Sequence, residues 1–119
     1  MKIEWLEKPQ KHDYGAAVSY LSLTMDVASA KSVAAKLKDA AISVFAAKDI
    51  FRASGLALLG VSNSHVKKDI AAIDADEKLS PLLLFRDRVA GKLVIADGYH
   101  RLCAVYVFDE DAMIPCKIV

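Results

Sequence analysis

The hydrophobic positions of this chain follow one periodicity up to residue 41 and another after it. Between residues 14 and 41, apolar side chains recur every three or four positions, which is typical of amphipathic helices. This pattern predicts a first helix from Tyr14 to about Leu23 and a second helix that ends near Ala40. Asp13 and Asp26 precede these helices and are expected to be their N-caps. The two helices together predict an N-terminal helical hairpin.

From residue 42 onward, short apolar runs alternate with turn residues. These runs predict strands at 42–47, 79–85, 92–96 and 113–119, and helical segments at 49–54, 65–73 and 102–108. The unbroken apolar run from Leu82 to Phe85 indicates a strand that is covered on both faces. The order α-α-β-α-α-β-β-α-β predicts an α+β fold, with helices packed on a small mixed sheet. We expect a single domain, with an arm and hairpin at 1–41 and a core at 42–119.

Composition narrows the classes of function. The chain has 119 residues, of which 55% are hydrophobic, and its 16 basic and 15 acidic residues give a net charge of +1. Such a balance argues against bulk electrostatic binding to DNA or to an anionic membrane. The start of the chain lacks a signal-peptide pattern, and no apolar run is long enough to span a bilayer. Cys103 and Cys116 have no metal-site spacing and are expected to be buried and reduced, which predicts a cytoplasmic protein.

The candidate chemistry lies where an apolar strand runs through Asp97 and Gly98 into an apolar helix. His100 and Arg101 lie on the first turn of that helix, where free backbone N–H groups and the helix dipole favour anions. This junction predicts a phosphate-binding turn. Two interpretations of Asp97 stay open, because it can cap the helix by accepting from the His100 N–H or can bind Mg²⁺.

Arg101 also has two interpretations, as a phosphate ligand or as one member of an ion pair with Asp87, Asp109 or Asp111. Asn63 and His65 begin another helix. They either face the same cleft or form an ordinary surface cap.

The segment from Leu79 to Phe85, the hairpin after it and the run from Val94 to Ala104 resemble the core of the ParB/sulfiredoxin-like fold. The resemblance covers residues 42–119 and rests on the strand order and on the turn Asp97-Gly98-Tyr99-His100-Arg101. It implies a site for ATP, ADP or CTP with magnesium, in which Gly98, His100 and Arg101 contact phosphate. Asp97 would match the acid of the ADP-dependent serine kinases of this superfamily.

The chain departs from the best-known members of that superfamily at three points. Tyr99 stands where sulfiredoxins carry their reactive cysteine, so sulfinate reduction is not expected. Residues 62–65 offer no carboxylate where the serine kinases carry a catalytic glutamate. The sequence ends at the last core strand, so we expect no DNA-reading helix-turn-helix domain.

Two classes of function follow. The first is a nucleotide- or phosphate-binding protein, with phosphotransfer to a small molecule as one form of it. Its predicted site comprises Asn63, His65, Asp97, Gly98, Tyr99, His100 and Arg101, with Asp97 as the metal ligand. The alternative is a non-catalytic regulatory or interaction module that retains the fold. Whether the protein is an enzyme stays open, as does whether the alanine-rich face of the hairpin packs on the core or forms a homodimer.

Overall fold

The computed structural model describes residues 2–60 and 62–119 and is mixed α+β, as predicted. Its elements follow the predicted order: α1 Lys11–Leu21, α2 Val27–Asp39, β1 Ser43–Ala46, α3 Ala47–Ser54, α4 Ser64–Asp74, β2 Leu82–Asp87, β3 Lys92–Asp97, α5 Tyr99–Phe108 and β4 Met113–Ile118. Residues 56–60 have no regular structure, and Val61 lies outside the described residues.

The four strands form one mixed sheet in the order β1-β4-β2-β3. β1 pairs antiparallel with β4, β4 pairs parallel with β2, and β2 pairs antiparallel with β3. Pro81 precedes β2, outside the ladder, where its missing N–H is not needed. The β2–β3 hairpin brings the end of β3 beside the start of β2, with Asp97 opposite Leu83.

Helices cover both faces of this sheet. Leu83 and Ala96 belong to a core shared with the helical hairpin α1–α2, whereas Leu82, Leu84 and Ile95 belong to a second core shared with α3, α4 and α5. Because neighbouring side chains on a strand point to opposite faces, the consecutive leucines of β2 enter different cores. The prediction from the unbroken Leu82–Phe85 run is therefore confirmed. The buried side of the alanine-rich hairpin packs on the sheet.

The predicted cap of α1 is wrong. The helix begins at Lys11 with Gln10 as its N-cap, so Asp13 lies inside the first turn. The Asp13 carboxylate, only 3% exposed, accepts hydrogen bonds from the Gln10 N–H at 3.0 Å and from the Ser80 hydroxyl. His12 Nε2 lies 3.3 Å from the same carboxylate. Asp13 thus links the start of α1, through Ser80, to the segment that precedes β2.

Asp26 caps α2, as predicted, and of the two interpretations of Asn63 the structure supports the helix cap. Asp26 accepts from the Ser29 N–H at 2.7 Å and caps α2. Asn63 accepts from the N–H groups of His65 and Val66, at 3.0 and 3.2 Å, and caps α4. Each side chain satisfies N–H groups that a helix start leaves without a partner.

Both cysteines are buried and unpaired, as predicted. Burial raises the pKa of the Cys116 thiol to about 11 and also raises the pKa of Cys103. Both therefore behave as small apolar side chains at neutral pH. Within the described part of the chain, no helix is long and apolar enough to cross a membrane.

Candidate functional site

The junction between β3 and α5 depends on a glycine. Gly98 is the N-cap of α5 and adopts a φ of +109°, a region that side chains other than glycine rarely enter. A Cβ atom there would also lie 2.8 Å from Leu82 Cγ and 2.9 Å from Arg101 Nη2. The packing of the chain against itself is therefore sufficient to require glycine at this position.

Asp97 does not cap α5, so that interpretation of it is wrong. It is the last residue of β3, and among the described residues no side-chain cap hydrogen bond is present at the start of α5. Its Oδ2 instead accepts from Arg101 Nη2 at 3.1 Å. Gly98 occupies the N-cap position, and Asp97 and Arg101 are four residues apart, so their side chains can meet. Burial raises the pKa of the Asp97 carboxyl, and the Arg101 charge partly opposes this rise.

Arg101 is held mainly by its own chain. Its Nε donates to the Ser80 carbonyl at 3.0 Å, and its Nη2 lies 3.4 Å from the Pro81 carbonyl as well as 3.1 Å from Asp97. The side chain is only 18% exposed. The predicted alternative, an ion pair with Asp87, Asp109 or Asp111, is wrong in its partner, which is Asp97. Arg101 thus connects α5 to the segment before β2. Part of its side chain also lines the cavity described in the next paragraph.

A cavity of about 220 Å³ lies between the start of α5 and helix α4. It brings together all the predicted site residues except Asn63, and its lining comprises His65, Lys68, Asp69, Asp97, Gly98, Tyr99, His100 and Arg101. We call it the α4–α5 pocket. The rings of His65 and His100 are in contact at its wall, with their centroids 4.8 Å apart. Asn63 contributes only indirectly, through the cap that begins α4.

Lys68 and Asp69 are lining residues that the sequence analysis missed. They lie three and four positions after His65, so all three side chains share one face of α4. That spacing was the available signal, once His65 was taken as a site residue. Burial raises the pKa of Asp69, and the charges of Arg101, His100, Lys68 and His65 oppose the rise. Asp69 is thus a second carboxylate of the pocket, beside Asp97.

Tyr99 lines the same pocket, but its hydroxyl donates to the carbonyl of Ala57. Its ring centroid is 5.5 Å from that of His100. Tyr99 thus connects the start of α5 to the irregular segment 56–60 and gives His100 an aromatic neighbour. The Tyr99 hydroxyl therefore has a structural contact.

The pocket contains four basic and two acidic side chains. His65, Lys68, His100 and Arg101 face the carboxylates of Asp69 and Asp97, and in residues 2–60 and 62–119 only Arg101 of these four forms an ion pair. The described residues contain no group of three or more His, Cys, Asp or Glu side chains that could hold a metal ion. The arrangement suits an anion at a helix start.

Comparisons with known proteins return no relative. A scan of protein-family models finds no match to this chain. Neither the curated proteins nor the solved structures include a match. The resemblance to the ParB/sulfiredoxin-like fold therefore rests on the segment order and on the turn at 97–101, and it stays a prediction.

Proposed function

We propose that the α4–α5 pocket binds the phosphate end of a nucleotide. The observation that carries this proposal is the convergence of four basic side chains at the start of α5, three of them without an ion-pair partner among the described residues. Phosphate oxygens accept hydrogen bonds from such side chains and from the free N–H groups of a helix start. Lys68, His65 and His100 make the direct contacts, and Arg101 keeps the turn in place.

The size of the pocket limits what it encloses. Pockets that enclose a whole drug-sized ligand usually measure about 300–1,000 Å³, whereas this one measures about 220 Å³. It has room for phosphoryl groups, with the sugar and base lying outside. Discrimination between ATP, ADP and CTP therefore depends on residues at the rim.

Magnesium fits this proposal only together with the nucleotide. Mg²⁺ usually takes one or two carboxylates and fills its other positions with phosphate oxygens and water. Asp69 and Asp97 are the two carboxylates of the pocket, and one oxygen of Asp97 is engaged by Arg101. In a phosphotransferase, Asp69 would accept the proton of the attacking hydroxyl group.

A second function, that of a non-catalytic interaction module, is favoured by one observation. Arg101, the residue expected to bind phosphate most strongly, already donates to two backbone carbonyls and to Asp97. A turn that uses its arginine in this way is stable without a ligand. On this second proposal the pocket is part of the fold and binds no nucleotide.

Isothermal titration calorimetry with ATP, ADP, CTP and pyrophosphate, each with and without Mg²⁺, separates the two functions. Lys68→Ala removes a charged contact, and we expect the affinity to fall about three- to tenfold, since exposed charge pairs contribute up to about 1 kcal/mol and a fully charged hydrogen bond somewhat more. Lys67→Ala is the matched control, because Lys67 is the neighbouring exposed lysine of α4 and does not line the pocket.

The second function wins if none of these ligands binds folded protein at millimolar concentration. Equal losses in Lys67→Ala and Lys68→Ala would mean that the ligand responds to general charge and not to the α4–α5 pocket. If nucleotide binds, a phosphotransfer assay of Asp69→Asn tests catalysis separately: transfer should be lost while binding is kept.

A further inference from the structure

A second cavity, of about 490 Å³, lies at the other end of β3. It is formed by α3 and by the β2–β3 hairpin, and we call it the hairpin cavity. Leu93 and Lys92 line it, whereas Asp97 at the far end of the same strand lines the α4–α5 pocket, and the two cavities share no residue. The hairpin cavity is therefore a separate site, and the phosphate-binding proposal does not use it.

The floor of the hairpin cavity is apolar. Ile50 and Leu84 form its buried part, and Phe45, Leu93 and Ile118 extend it toward the surface. Phe45 is 39% exposed, although aromatic side chains gain most from burial. The volume falls within the range of cavities that hold small organic molecules, which are mostly apolar with a few polar groups at defined places.

The rim of the hairpin cavity carries more positive than negative charge. Arg86, Arg88 and Lys92 line it, and none of them forms an ion pair among the residues that the structure describes. Its two acids are already engaged. Asp49 pairs with Arg52 at 3.0 Å, and Asp87 accepts from the N–H groups of Val89 and Ala90 within the hairpin turn.

We propose that the hairpin cavity binds a small organic anion, an aliphatic or aromatic carboxylate whose apolar body lies on Ile50, Leu84 and Leu93. The carboxylate group of the ligand pairs with the cations of the rim, above all with Arg86 and Lys92, which lie beside the turn of the hairpin. This assignment matches both the apolar floor and the excess of positive charge. A neutral apolar ligand would use only the floor.

The test compares three probes of equal length, octanoate, octanol and octylammonium, by titration followed with ¹H–¹⁵N NMR spectra. We expect octanoate to bind best, octanol more weakly and octylammonium least. Octanoate should shift the amide signals of Ile50, Ala53 and Leu93, and should leave those of His65 and His100 unchanged. Binding of octanoate and octylammonium with equal affinity would overturn the proposal, as would no binding of octanoate at millimolar concentration.

Variants assign the contributions of rim and floor. Arg86→Gln and Lys92→Gln should each lower the affinity for octanoate about two- to fivefold, the effect of one exposed ion pair, and leave octanol unaffected. Lys31→Gln, at an exposed position of α2, is the charge-matched control. It should change the affinity for neither octanoate nor octanol. Ala53→Trp places an indole in the mouth of the cavity and should weaken both probes, whereas Ala28→Trp, also at an exposed helical position, should not.

A second copy of the chain is the other candidate occupant of this face. Analytical ultracentrifugation of the wild type and of Ala53→Trp decides the matter. We expect both to be of the same size at all concentrations. A wild-type dimer that Ala53→Trp converts to monomer would show that the hairpin cavity is an interface between copies, and this outcome would replace the proposed anion site.

Discussion

Gly98 and Arg101 are constrained by the chain's own packing before any ligand is considered. Gly98 has a positive φ and a close contact with Leu82, and Arg101 donates to the carbonyls of Ser80 and Pro81. The sequence analysis gave both residues a phosphate contact through the family resemblance and left an ion pair open as the alternative for Arg101. The structure adds a second reason for each, so substitutions here must be judged by stability as well as by affinity.

Gly98→Ala is expected to lower the free energy of unfolding by about 2–4 kcal/mol, because it combines an unfavourable φ with overpacking against Leu82 and Arg101. Gly91→Ala is the matched control. Gly91 has a φ of +69° but no atom within 4 Å of the added Cβ, so it should lose only about 1 kcal/mol. Urea denaturation measures both variants. Equal losses would contradict the role given to the close contacts at Gly98.

Arg101→Ala should destabilise the protein by about 1.5–3 kcal/mol at neutral pH, since the carbonyls of Ser80 and Pro81 and the carboxylate of Asp97 lose a charged donor. The loss should depend on pH. The folded-state pKa of Asp97 is raised by burial, and Arg101 holds that rise back. Without Arg101 the folded-state pKa of Asp97 rises further. Asp97 therefore stays protonated up to a higher pH in the folded state than in the unfolded state.

The stability that protonation of Asp97 contributes is fully present at pH values below the ordinary aspartate pKa. It is lost as the pH rises through the folded-state pKa of Asp97. Between about pH 4 and neutrality, the stability of Arg101→Ala should therefore fall more steeply than that of the wild type. Denaturation curves at a series of pH values measure this slope. In Arg101→Ala/Asp97→Asn most of the additional slope should disappear, and the remainder should come from Asp69, whose raised pKa Arg101 also opposes. If the whole additional slope persists, another group is responsible for it.

At the scale of the elements, the hydrophobic pattern predicted more than the polar residues did. The order of helices and strands follows from apolar periodicity, and that order agrees with the structure from α1 to β4. Two of the predicted caps fail for a common reason. Asp13 and Asp97 are near helix starts, but each carboxylate has a long-range or cross-turn partner, Ser80 and Arg101, that a local pattern does not reveal.

Helix α4 shows what a local pattern can predict about the site and what it misses. Asn63 was correctly placed at a helix start, yet its side chain serves the backbone of α4 and not the pocket. Lys68 and Asp69 line the pocket because α4 packs beside α5. This packing is a feature of the tertiary structure. The spacing from His65 gives their common face, but only the packing shows where that face points.

Asn63→Ala should remove the cap of α4 and lower stability by about 1 kcal/mol. Because Asn63 does not line the α4–α5 pocket, its effect on phosphate binding should be small and should come only through the position of His65. Asn63→Ser keeps an oxygen that can cap and is the conservative control. Thermal unfolding and calorimetric titration with pyrophosphate measure the two effects. A large loss of affinity in Asn63→Ser, with stability retained, would show that the amide itself contacts the ligand.

At the scale of the whole molecule, the helical hairpin supplies one of the two layers that enclose the sheet. Ala17, Leu21 and Leu37 are fully buried in a core that also contains Leu83 and Ala96. Further ties join the hairpin to the strands. Asp13 is hydrogen-bonded to Ser80, and the buried Lys117 of β4 donates to the Lys38 carbonyl at the end of α2 at 2.7 Å. The resemblance covers only residues 42–119, but the packing around the sheet includes the helical hairpin as well.

A fragment of residues 42–119 should therefore not fold by itself. Removing the hairpin exposes Leu83 and Ala96, together with Phe85 and Val94 beside them, and an apolar sheet face exposed in this way promotes aggregation. We expect a poorly dispersed NMR spectrum and no cooperative thermal transition. Adding a peptide of residues 2–41 should restore both signals, since it returns the missing layer. Double substitution Leu21→Asp/Leu37→Asp in the full chain should reproduce the defect of the fragment, because it places two charges in the same core. A fragment that unfolds cooperatively without the peptide would show that one covered face is enough for this sheet.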